Sequence, residues 1–167
     1  ANIEVSNLSY INEEEILQYL KPYEDQSIFL IPLKKISLEI RKNKWIKELQ
    51  IKSNYKNTLN ISIIEETPFG IYDNDNKKIL FSENLVILEI LDNNEYLDLI
   101  TFYGNNSINN SKKLLLNFDK NFVNKIKSAT FIENRRWNLI LRNAILLKLP
   151  EENIKSALNY YNKIYAN

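Results

Sequence analysis

The 167-residue chain contains no cysteine and no histidine. Disulfide staples, thiol catalysis, the usual zinc sites and imidazole acid–base chemistry are therefore excluded. The missing cysteine does not fix the compartment, because exported bacterial proteins also do without it. Methionine is absent and there are only two glycines, so no Gly-rich phosphate loop can be built. No apolar run approaches the roughly 20 residues needed to cross a bilayer. Charge of one sign is also lacking: 22 Lys and Arg face 21 Asp and Glu, a net +1. A nucleic-acid binder normally carries a large basic excess on one surface.

What is present is the balance of a folded globular chain, 44% hydrophobic and 26% charged. The abundance of Asn, Ile, Lys and Tyr reads as codon bias of an AT-rich genome, and patches such as Asn105, Asn106, Asn109 and Asn110 as loop drift. Residue 1 is Ala rather than Met, so the chain is expected to start partway through a gene product, with a signal peptide or anchor upstream.

Ile3, Val5 and Leu8 give a strand-like start. Asn12 followed by Glu15 has the form of a capping box, and Ile16, Leu17 and Leu20 line a helical face that Pro22 stops. Pro32 suits the first turn of a second helix carrying Leu33, Ile36 and Ile40. After Trp45 the period falls to two. Leu49 and Ile51, then Leu59, Ile61 and Ile63, alternate with polar residues on either side of Asn54-Tyr55-Lys56-Asn57, which predicts an antiparallel hairpin with one buried face.

Pro68 and Gly70 mark a boundary. Strands are predicted over 69–73, 78–81 and 85–91, with a turn at Asp73-Asn74-Asp75-Asn76; 96–103 is strand or extended linker. Ser111 is expected to cap a helix carrying Leu115, Phe118, Phe122 and Ile126, broken near Asp119. Three further strands follow, over 131–133, over Trp137 to Leu141 and over Ile145 to Leu149, with Asn143 in the left-handed position of the second turn. Pro150, Glu151 and Glu152 are expected to open a helix whose stripe is Ile154, Ala157, Leu158, Tyr161 and Tyr165. The result is an α+β chain in two parts, 1–68 and 69–167.

Two stretches carry a family resemblance. Trp45-Ile46-Lys47-Glu48-Leu49-Gln50-Ile51 through Leu59 to Glu65-Glu66-Thr67-Pro68-Phe69 is similar to the hairpin and Glu-x-x-Pro ending of the bacterial FtsQ/DivIB cell-division family. Arg135-Arg136-Trp137-Asn138-Leu139 through Leu149-Pro150-Glu151-Glu152 to Ala157-Leu158 resembles that family's Arg-Arg-Trp-Asp-Leu strand, Leu-Pro-Glu turn and following helix. The family often has Asp and Gly near Ser82 and Asn84, and Gly near Asn143-Ala144; Asn is expected to stand in at the left-handed sites.

The resemblance implies a β-α-α-β-β POTRA domain over 1–68 and a mixed, mainly antiparallel β domain with flanking helices over 69–167. It implies a non-enzymatic scaffold, anchored by one span in the inner membrane, with this part in the periplasm at the division septum. The implied partners are FtsB- and FtsL-like division proteins, with no nucleic acid, small-molecule substrate, cofactor or metal. In the family another strand follows the final helix and contributes to partner binding; here that strand is expected to be missing after Asn167.

The candidate partner-binding residues are Arg135, Arg136 and Tyr160. The strand beginning near Arg135 is expected to offer an edge for β-augmentation, and an Arg fork suits a partner carboxylate. Strand alternation lets only one of the two arginines face a given partner, leaving the other to pack across Trp137 or pair with Glu133. Trp45 and Trp137 are read as core. The carboxylate runs Glu13-Glu14-Glu15, Glu65-Glu66 and Glu151-Glu152 consist of neighbours that do not converge on one substrate atom. The rival reading is a POTRA-bearing component of outer-membrane protein assembly or polypeptide transport.

Overall fold

A computed structural model describes residues 1–6, 8–54 and 56–165. Tyr55, and with it the middle of the predicted 54–57 turn, lies outside them. The chain divides into two compact units, Ala1–Thr67 and Pro68–Asn167.

In the first unit the order is β1 (Asn2–Val5), α1 (Glu13–Leu20), α2 (Leu33–Ile40), β2 (Ile46–Ser53) and β3 (Thr58–Glu65), the β-α-α-β-β order that the resemblance implied. β3 is central, parallel to β1 and antiparallel to β2. The hairpin register sets Leu49 opposite Ile63 and Ile51 opposite Ile61. Leu49, Leu59, Ile61 and Ile63 are buried with Ile16, Leu20, Ile36 and Ile40 of the helices, so period-2 and period-3.6 stripes meet in one core.

Asn12 caps α1 by accepting from the Glu14 backbone N–H at 3.0 Å. The reciprocal half of the expected box is replaced, because the Glu15 carboxylate accepts from Asn43 Nδ2 at 3.5 Å. Pro32 stands one position ahead of its expected place, as the residue preceding α2. Trp45 is half-buried and stacks on Tyr10 with ring centroids 4.8 Å apart.

Glu65 gives the Glu-x-x-Pro ending a local purpose. Its carboxylate accepts from the backbone N–H groups of Ser9, Tyr10 and Ile11 at 2.7, 2.9 and 2.7 Å. Three donors of a loop without a ladder partner are thereby satisfied by one charged acceptor.

The second unit holds a seven-stranded sheet in the order β10-β9-β8-β7-β4-β5-β6. Its strands are β4 (Pro68–Asp73), β5 (Lys78–Ser82), β6 (Ile87–Leu91), β7 (Ile100–Tyr103), β8 (Ile126–Ile132), β9 (Arg136–Leu141) and β10 (Leu146–Lys148). The β4/β7 and β7/β8 pairs are parallel and the other four antiparallel. The helices α3 (Ser107–Leu115), α4 (Lys120–Val123) and α5 (Ile154–Tyr165) complete it.

One face of this sheet carries the core: Phe81, Phe102, Phe131, Trp137, Leu139 and Leu141 pack with Leu114 and Phe122 of the helices. Trp137 is buried as expected, stacked on Phe131 at 4.6 Å and edge-on to Phe102 at 6.0 Å. Gly70 makes room for this aromatic layer, since a Cβ there would lie 2.7 Å from Phe102 Cε2 and 2.8 Å from Phe81 Cζ.

Several boundaries differ from the sequence reading. The helix expected from Ser111 to Ile126, with its break near Asp119, is two helices parted at Asp119 and a strand. α3 starts at Ser107, and Ser111 lies inside it with Oγ donating to the Ile108 carbonyl at 2.7 Å. Asn117 donates its amide to the Lys113 and Leu114 carbonyls, and Asp119 caps α4 through the Phe122 N–H at 2.8 Å. Ile126 opens β8.

In the β9–β10 turn the left-handed residue is Ala144, with φ 68, while Asn143 Oδ1 accepts from the Ile145 N–H. Likewise Leu85, not Asn84, has φ 62, and the buried Ser82 Oγ holds that turn by accepting from Asn84 and Val86 N–H at 3.2 Å each. In both turns a polar side chain fixes the backbone from outside the left-handed position. The strand expected at 131–133 ends at Ile132, because Glu133 and Asn134 both have positive φ and open the three-residue link, 133–135, to β9. Pro150, Glu151 and Glu152 precede α5 rather than opening it.

Candidate partner-binding surface

The functional expectation was an exposed edge with charged anchors near residue 135. β9 cannot be that edge, because it lies between β8 and β10 with both ladders filled. The free edge on this side of the sheet is β10. Its register with β9 sets Leu147 opposite Leu139, and flanking bonds run from Leu149 N–H to the Trp137 carbonyl and from Leu141 N–H to the Ile145 carbonyl. In an antiparallel ladder alternate residues turn both backbone groups the same way. Ile145, Leu147 and Leu149 therefore face β9, and the N–H and C=O of Leu146 and Lys148 face outward.

The same alternation sorts the side chains. Trp137, Leu139 and Leu141 face the helices, while Arg136, Asn138 and Ile140 face the other way. Across the ladder Leu146 pairs with Ile140 and Lys148 with Asn138. Beside the free edge, then, stand two exposed apolar residues, Ile140 and Leu146, with Arg136 and Lys148 farther along the face.

Arg135 sits in the β8–β9 turn, just before the strand. Its guanidinium donates to Glu133 Oε2 at 3.0 Å and lies 3.9 Å from Glu151 Oε2, with all three side chains more than half exposed. Pairing with Glu133 is the structural role foreseen for one arginine. Exposed pairs of this kind contribute only about 0–1 kcal/mol, so a stronger acceptor can replace them. Arg135 also borders a cleft of about 360 Å³ between α3, the β8–β9 turn and residues 150–154, with Trp137 and Glu152 in its wall. Arg136 is half-buried and donates to Asn138 Oδ1 at 3.2 Å.

Tyr160 is 69% exposed on α5, whose inner stripe of Ile154, Leu158 and Tyr161 packs on the helix-side core. The three candidate residues consequently do not form one cluster. Arg136 is on the face of the sheet opposite α5, and Arg135 is at the turn between them. Leu146 and Lys148 were missed by the sequence reading, although a signal existed. Ile140 and Leu146 are apolar at positions where strand alternation calls for polar residues. No group of three or more acidic side chains among the described residues has metal-ligating geometry.

Comparison with known proteins supplies the context for this surface. The family description "POTRA domain, FtsQ-type" matches residues 1–66, and "Cell division protein FtsQ/DivIB, C-terminal" matches residues 70–167. The cell division protein FtsQ of Rickettsia typhi is 29% identical, over 99% of this chain and 63% of that protein. That of Rickettsia felis is 31% identical, over 95% of this chain and 60% of that protein. The chain thus spans about three-fifths of the length of these curated relatives. Superposition on the major extracytoplasmic domain of DivIB from Geobacillus stearothermophilus gives a TM-score of 0.45 at 12% identity, covering 62% of this chain and 93% of that one. With both units matched in order along nearly all its length, the chain belongs to the FtsQ/DivIB family of bacterial cell-division proteins.

Proposed function

We propose that this chain is the periplasmic part of a non-enzymatic division scaffold, tethered by a span upstream of residue 1, that binds FtsB- and FtsL-like proteins at the septum. The observation that carries the binding mode is the open β10 edge. An extended partner segment can complete its ladder through Leu146 and Lys148, lay apolar side chains on Ile140 and Leu146, and place a carboxylate on Arg135 or Arg136. Tyr160 provides an exposed amphipathic ring on α5 for the neighbouring part of the partner.

Binding of this chain to an FtsB-like partner, measured by calorimetry, tests the mode. Lys148→Pro removes an outward N–H but leaves the inward ladder to β9 intact, as proline at an edge allows. It is expected to weaken binding about three- to tenfold relative to Lys148→Ala, the effect of one ladder bond. Arg135→Glu is expected to weaken it by about tenfold, as an interface anchor would. Unchanged affinity in both variants removes the β10 reading. A mid-cell band before constriction, seen with an antibody to this chain, supports the division role; uniform envelope staining favours the assembly or transport reading.

A further inference from the structure

Phe29 and Leu30 are 93% and 71% exposed, the largest apolar exposure among the described residues of the first unit. They lie in a 3-10 turn, Ile28–Leu30, where residues three apart share a side. Ile28 and Ile31 both point into the core and are buried, which forces the two residues between them outward. The turn is thus pinned at both ends and presents an apolar tip.

Two features locate that tip. The Asn57 side-chain oxygen accepts from the Ile28 N–H at 3.4 Å, while the Asn57 carbonyl accepts from the Asn2 N–H at 2.9 Å. The Ala1 nitrogen lies 2.6 Å from the Glu24 carbonyl oxygen. The start of the chain and the Phe29-Leu30 tip therefore share one end of the unit. Exposed Lys21 and Lys56 stand among exposed Glu14, Glu24 and Asp25 near the start of the chain, while the charges that directly follow the tip are the exposed Lys34 and Lys35. Lys34 and Lys35 occupy the first turn of α2, which holds no acidic residue and where the helix dipole disfavours cations.

We infer that Phe29 and Leu30 insert into the interfacial layer of an anionic lipid bilayer, with Lys34 and Lys35 against its headgroups. The inference rests on the proposed tether ahead of residue 1, which would bring this end to the membrane surface. An aromatic–aliphatic tip flanked by lysines has the chemistry of an interfacial anchor. It would fix the orientation of the first unit on the membrane.

Because the chain has no cysteine, Ser27→Cys takes an environment-sensitive NBD label beside the tip. The labelled chain, held through a polyhistidine tag ahead of Ala1 on nickel-chelating lipid, is placed on phosphatidylethanolamine vesicles containing phosphatidylglycerol. The label is expected to shift to the blue and to be quenched by doxyl-labelled lipid. A label at Lys47→Cys, at the other end of β2, is expected to stay in water. Phe29→Ser with Leu30→Ser should abolish the shift. Without the tether, Lys34→Ala and Lys35→Ala should each lower vesicle affinity about fivefold.

No shift at position 27, or a shift indifferent to the double serine variant, overturns the inference. A shift that appears only with a soluble partner protein also overturns it and assigns the tip to a protein. The artificial tether separates the two readings. Insertion on vesicles, with the natural protein absent from cell membranes, fails the proposed tether and leaves the tip standing. A silent label with a membrane-bound natural protein fails the tip alone.

Discussion

Single side chains in this protein hold backbone that no ladder holds. Glu65 satisfies three loop donors, two of them at exposed residues that water can partly re-solvate. Glu65→Ala is expected to cost about 1–3 kcal/mol, read as a lower urea midpoint of Trp45 fluorescence in a Trp137→Phe background. Tyr103 shows a different dependence. Burial, and then the charges of Asp73 and Asp75, raise its phenol above the ordinary tyrosine value. The folded state then keeps the phenol proton at a pH where the unfolded chain has lost it. Stability is accordingly undiminished below about pH 10 and falls as pH rises through the unfolded value toward the folded one. Tyr103→Phe is expected to flatten that alkaline loss, as thermal melts between pH 9 and 11 would show. Neither residue stood out in the sequence as an isolated signal. Glu65 belonged to a recognised motif whose task became visible only when residues 9–11 were found beside it.

At the level of elements, hydrophobic period was legible wherever one face alone is buried. The β2–β3 hairpin and β9 follow their patterns directly, and α5 follows its stripe through Ile154, Leu158 and Tyr161 but leaves Tyr165 exposed. The break near Asp119 was legible, but the strand that opens at Ile126 was not, because the apolar pattern outlasts the helices that carry it. The spacing Leu115, Phe118, Phe122 and Ile126 continues across α3, α4 and the start of β8, because all of them face one core. Asn117 and Asp119 interrupt the backbone beneath that continuous stripe. α5 also differs from the helices α1 to α4, since none of its residues is fully buried. Its amides are expected to exchange with solvent faster than those of β8 and β9, measured by hydrogen exchange with mass spectrometry, because local opening there exposes little apolar surface. Equal protection across these elements would show that α5 is held by more than Ile154, Leu158 and Tyr161.

For the molecule as a whole, charge composition sets an expectation of its own. With no histidine and no cysteine, the side chains that ordinarily change charge near neutrality are absent. Stability of the isolated chain is therefore expected to be level between pH 6 and 8.5, checked by urea titrations across that range. A slope there would reveal an α-amino group, carboxylate or lysine whose proton affinity differs between the folded and unfolded chain. The same reasoning assigns any neutral-pH dependence of partner binding to the partner.

The sequence by itself determined the α+β class, because burial requires an apolar residue at each inward position and the pattern records it; the family was legible in the two resembling stretches, Trp45 to Phe69 and Arg135 to Leu158. It determined residue types at the candidate surface, but not their arrangement. Strand order is not written in local periodicity: only pairing in space shows that β9 is interior, that β10 is the edge, and that Leu146 and Lys148 turn their backbone groups outward. Arg135, Arg136 and Tyr160 were adjacent ideas in the sequence, yet strand alternation and the packing of α5 put them on different sides of one sheet. A backbone hydrogen bond is blind to side-chain identity, so which strand lacks a neighbour is decided by tertiary structure alone.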